Sequence, residues 1–253
     1  MKLTTFTKGW AAALAVTLAS TLSTQAALVN VAPGTPEFAG VALSATAGLG
    51  GNVVASRTTN FTAGAGVFSG TLRSLVVDRG AGLLDFYYQV QNTSAAPAGT
   101  GADIFRLAIN GFTGVALNGG PVSATFRSDG TVGLGALPGG FSTIGTKGVA
   151  TADRDPGISG NGGLGFDFDP THFLGGAGNV DSGQTSFWMV ARTNATAFNN
   201  NFATVSGADT AFNVSTFTAL VPVPEPGSAL AGMLALGLCC SGIFTRRRSA
   251  TVA

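Results

Sequence analysis

Between clusters of Gly, Asn and Asp, apolar side chains in this chain return at every second residue. Leu84, Phe86, Tyr88 and Val90 fall on one face of an extended segment, with Asp85, Tyr87, Gln89 and Gln91 on the other. Phe105, Leu107 and Ile109 alternate with Arg106 and Ala108, and Val122, Ala124 and Phe126 with Ser123, Thr125 and Arg127. Successive side chains of a strand point to opposite faces, so this period predicts strands and excludes the 3.6-residue repeat of a helix. Asp129-Gly130 separates the third run from Val132, Leu134 and Ala136. That dipeptide predicts a two-residue hairpin, because both central residues of a type I′ turn need positive φ. Thr185 to Thr193 sets Phe187 and Met189 against Trp188 and Val190, apolar on both faces as a central strand is. Thr210 to Leu220 predicts a last strand, with Phe212 and Val214 on one side.

Many short strands with Gly-rich turns define the expected fold class: all-β, an antiparallel β-sandwich of jelly-roll-like form spanning residues 27–221. The stretch Gly145 to Gly183 reads as its longest irregular region. Only 10% of residues are charged, yet 18 phenylalanines at strand-like spacing argue against a disordered chain. Between Ala27 and Pro222 there are 8 Lys and Arg against 11 Asp and Glu, a net charge of 8 − 11 = −3. No basic stripe suited to nucleic acid is present. Both cysteines of the chain, Cys239 and Cys240, lie beyond this region, so disulfides cannot staple it.

The two ends are of different character. Lys2 and Lys8 precede an apolar run from Trp10 to Leu22, followed by Ser23-Thr24-Gln25-Ala26-Ala27. A charged start, a short apolar core and small residues before the cut predict a signal peptide over residues 1–26. It would be threaded through the Sec translocon and removed by signal peptidase. At the other end, residues 222–253 form a separate segment. Gly227 to Thr245 is 19 residues without a charge, followed by Arg246-Arg247-Arg248. A helix of that length spans about 28 Å, the thickness of a bilayer's hydrocarbon core, and the arginines hold its end in the cytoplasm. Pro224 and Pro226 flank Glu225 and keep the approach to the span extended.

Val223-Pro224-Glu225-Pro226, the apolar span and the three arginines, in that order, resemble the PEP-CTERM sorting signal of Gram-negative bacteria. The match covers about a tenth of the chain. The resemblance implies an exosortase as partner, an integral-membrane cysteine transpeptidase that cuts near the Pro-Glu-Pro. It also implies a final location at the cell surface or in the extracellular matrix, after transit through the inner membrane on the single C-terminal helix. The departure is Gly227, where Ser, Thr or Ala more often follows.

The candidate sites upstream are sparse. His172 is the one histidine, and with Asp181-Ser182-Gly183 it gives only a faint outline of a triad, so the expected role is non-enzymatic. Asp153, Asp155, Asp167, Asp169 and Asp181 fall within 29 residues and offer hard oxygen ligands suited to Ca²⁺. Gly162-Gly163-Leu164-Gly165-Phe166-Asp167 also fits the first six positions of a calcium-binding β-roll repeat. Solvated loop carboxylates, with no cofactor, are the plainer reading. Tyr87 and Trp188 are candidates for an aromatic platform that stacks on extracellular polysaccharide, against the alternative of core packing. The expected function is therefore a structural or adhesive surface protein, with a carbohydrate-binding module, calcium-assisted or not, as the alternative.

Overall fold

A computed structural model describes residues 28–32, 35, 40–46, 49–63, 68–95, 102–112, 122–127, 145–154, 163–169, 178–207 and 214–223. The signal peptide, the Asp129-Gly130 hairpin, His172, Asp155, Phe212 and the segment from Pro224 onward lie outside them. The described residues are all-β. In chain order the strands are β1 (Val29–Val31), β2 (Val41–Ala42), β3 (Ala45–Thr46), β4 (Asn52–Ala63), β5 (Phe68–Asp78), β6 (Leu84–Asn92) and β7 (Ile104–Asn110). They continue with β8 (Val122–Arg127), β9 (Thr151–Asp153), β10 (Gly163–Asp167), β11 (Trp188–Arg192), β12 (Phe198–Gly207) and β13 (Val214–Pro222).

They form two sheets. One runs β1-β8-β11-β6-β5-β4, with β3 added beside β8, and the other β13-β12-β7-β10-β9-β2. All ladders are antiparallel except the two-residue β3–β8 pairing. Leu84, Phe86, Tyr88 and Val90 from β6 meet Leu107, Ile109, Leu164 and Phe166 from β7 and β10 in one core between the sheets. Val122 and Ala124 of β8 join them, and so do Met189 and Ala191 of β11. The opposite face of the first sheet carries a second apolar cluster of Leu75, Val77, Tyr87, Trp188 and Val190. β6 and β11 are thus buried on both faces, as the doubly apolar run around Trp188 predicts.

Two bulges adjust which side chains reach the core. In β4, Val53 pairs with Val77 and Ala55 with Val76, so Val54 is the extra residue and is half exposed. The bulge lets Val53 serve the second cluster while Ala55 packs on the main core. Beside β7, the register skips Phe105: Ser206 faces Arg106 and Gly207 faces Ile104. Ile104, not Phe105, therefore joins Leu107 and Ile109 in the core. The last strand also differs from expectation. Val214 points outward, 54% exposed, and Phe217, Ala219 and Val221 supply its core face.

β13 is a sheet edge, and a bare edge is a hazard for pairing with other chains. Here its backbone is met by hydroxyls of the facing sheet. Thr59 Oγ1 donates to Thr218 O at 3.0 Å, Tyr88 Oη donates to Leu220 O at 2.7 Å, and Leu220 N donates to Ser74 Oγ at 3.4 Å. Phe61 stacks on Phe217 with centroids 5.0 Å apart.

Tyr87 and Tyr88 are the only tyrosines and both are fully buried. Burial pushes the Tyr87 hydroxyl up to about 12, and the Asp85 charge adds to the rise. Burial also holds Tyr88 well above its ordinary value of 10.0. A group whose folded pKa lies above its unfolded one contributes stability below the unfolded value, lost as pH rises through the folded one. Tyrosinate absorbance at 295 nm is therefore expected to stay flat to beyond about pH 11 and then rise together with loss of structure. A native titration centred at the usual tyrosine value, with the fold intact, would contradict this packing.

Candidate functional site

Two of the aspartates singled out for calcium, Asp153 and Asp167, draw together onto a cation of the chain itself. Register fixes the geometry. Leu107, Phe166 and Ala152 face the core, so their neighbours Arg106, Asp167 and Asp153 stand on the far face of the second sheet. Arg106 Nη1 donates to Asp153 Oδ2 at 2.6 Å and to Asp167 Oδ1 at 2.8 Å, while Nη2 donates to Asp153 Oδ1 at 3.0 Å. All three residues are buried. Burial pulls the guanidinium pKa down, but the hydrogen bonds and charges of Asp153 and Asp167 outweigh it and hold the value above normal. Arg106 thus pairs with both carboxylates at once.

The Gly-Gly-x-Gly-x-Asp motif acquires a different meaning in the same place. Gly163 to Asp167 is the antiparallel strand β10, not a turn of a β-roll. A Cβ on Gly165 would collide with Arg106 Nη2 and Asp153 Oδ2, so the missing side chain is what lets the guanidinium lie across the strand. A Cβ on Gly163 would come within 2.7 Å of Ile109 O. The expected irregular region thus contains β9 and β10, paired to each other, with β7 on the far side of β10 and β2 on the far side of β9.

Of the remaining aspartates, Asp169 is buried just past β10, and Asp181 Oδ2 pairs with Lys147 Nζ at 3.4 Å. Among the described residues no group of three or more His, Cys, Asp or Glu is arranged to hold a metal ion. Ser182 Oγ donates to the carbonyl of Ser94.

Tyr87 and Trp188 do come close together, in the second apolar cluster, but as core. Both are fully buried, and Tyr87 Oη donates to Leu49 O at 3.3 Å. A saccharide platform needs an exposed ring face, so these two rings cannot act as one in the folded chain. Beside them lies a second ionic cluster. Asp85, buried, takes Arg192 Nη2 at 2.9 Å from the opposite residue of β11 and Arg79 Nε at 3.2 Å. Burial raises the Asp85 carboxyl, against the pull of Arg192 and Arg79.

Sequence reasoning passed over Asn92. Its buried amide donates to Ala102 O and Val180 O at 2.7 and 2.9 Å, and its Oδ1 accepts from Ser94 N and Oγ at 3.0 and 2.6 Å. A fully used side-chain amide ties three segments together.

Each of the eight cations between Ala27 and Pro222 is engaged within the chain. Arg57 reaches Asn200 and Thr218, Arg73 reaches Gln89 and Gln91, and Arg127 and Arg154 donate to the carbonyls of Leu49 and Phe112. Lys147, Arg79, Arg106 and Arg192 hold carboxylates. Comparison with protein-family models, curated proteins and solved structures gave no match.

Proposed function

We propose that this chain is an exported, non-enzymatic protein of the cell surface or extracellular matrix. Its body is a jelly-roll-like sandwich, carried to the inner membrane behind a cleaved signal peptide. There it is held on a single C-terminal helix, residues 227–245, until an exosortase acts at Val223-Pro224-Glu225-Pro226. The observation that carries the reading is the order of rigid polar motif, uncharged span and Arg246-Arg247-Arg248 at one end of the sequence.

Two features of the body support it. Val223 N donates to Ala197 O at 3.0 Å, so the sheets hold the chain as far as the residue before Pro224. Six charged groups of the body are paired with one another in Arg106–Asp153–Asp167 and Arg79–Asp85–Arg192, a pattern that suits a scaffold. Removing the motif's carboxylate with Glu225→Ala in the native host is expected to leave full-length precursor in the membrane fraction, read by immunoblot. Processing of that variant at the normal rate would count against a sorting role.

A further inference from the structure

One end of the two-sheet body gathers the point where the anchor leaves and a small uncharged surface. Pro222, the last residue of β13, pairs with Phe198, the first of β12. The hairpin between β5 and β6 closes at the same end, since Arg79 Nη2 donates to Thr193 O at 2.8 Å in the crossing from β11 to β12. Its tip, Gly80-Ala81-Gly82, is exposed and carries no charge, and Phe198 is 38% exposed. The ten residues of β12 and nine of β13 include no charged side chain. Behind the tip, the part-exposed Arg79 and Arg192 share Asp85, and Asp78 Oδ1 accepts from Gly80 N.

We propose that this end is the face laid on the bilayer, with Phe198 and the Gly80–Gly82 tip in the headgroup layer while the tail is anchored. The inference rests on reading residues 227–245 as a membrane span. Val223 precedes Gly227 by four residues, so the chain can hold the body off the span by at most about 14 Å. Within that reach, a part-exposed aromatic ring at the same end as an uncharged turn gains by leaving water for the lipid interface. The tether also gives the surface an orientation. Val214, exposed at the opposite end of β13, stands eight residues from Pro222 and so about 26 Å farther from the bilayer.

The test uses the full chain in vesicles of phosphatidylethanolamine and phosphatidylglycerol whose lipids are brominated near the headgroup. Phe198→Trp and Val214→Trp each add one indole at an exposed position, and the emission of the parent chain is subtracted. Co-flotation of all three proteins with the vesicles checks the anchor separately. The expected result is that position 198 loses more than about half of its added emission to bromine while position 214 is unchanged. Flotation without quenching at 198 overturns the proposal and leaves the anchor standing, and so does equal quenching at 198 and 214. Failure to float removes the span reading and the proposal with it.

Discussion

Replacing Arg106 with methionine lowers the free energy of unfolding by about 3–5 kcal/mol, because it strands two carboxylates away from water. Asp153 and Asp167 are both fully buried, and Arg106 supplies the three short hydrogen bonds that bind them to a cation. For a domain of this size that loss is a fall in melting temperature of about 6–20 °C. The opposing expectation is equally specific. A buried ionic group replaced as a whole is often close to neutral, since desolvation of the charges then also disappears. Arg106→Met combined with Asp153→Asn and Asp167→Asn therefore recovers most of what the single change loses. Calorimetry of the three proteins decides the matter. A single variant as stable as the parent would mean that these carboxylates reach water or another cation.

Trp188→Ala is expected to cost about 3–5 kcal/mol, the usual loss for truncating a large aromatic in a packed core. Trp188 stands opposite Arg127 on the neighbouring strand and packs with Leu75, Val77, Tyr87 and Val190. The effect should appear as a lower denaturant midpoint with an unchanged m-value. Were Trp188 a saccharide platform, the same change would leave stability nearly untouched and abolish retention on immobilised polysaccharide. That outcome would contradict the buried position described above.

Strand-forming runs were legible where both alternation and apolar content were strong, as in β6, β8 and β11. β12 was not, because Phe198-Asn199-Asn200-Asn201 has the composition of a turn. Its extended form comes from its ladders with β13 on one side and β7 on the other, which local sequence does not display. The bulge that exchanges Phe105 for Ile104 has the same origin in the neighbouring strand.

The aspartate cluster was visible as a cluster, but its partner was not. Arg106 lies 47 residues before Asp153 and 61 before Asp167, and only the order β7-β10-β9 brings them side by side. The one local signal was Gly165. A glycine inside a strand marks a close approach by another group, and here that group is the guanidinium. Tyr87 misled for a related reason: it alternates with core residues and so reads as outward, whereas a second layer of apolar side chains covers that face. Trp188, in a run apolar on both faces, was legible as core.

Measuring the intact mass of the protein recovered from its native host would test the whole account at once. A mass lacking residues 1–26 and everything beyond a cut near Pro224–Pro226, with or without an added surface group, is the predicted result. A mass equal to the complete 253-residue chain, recovered from the extracellular fraction, would contradict it.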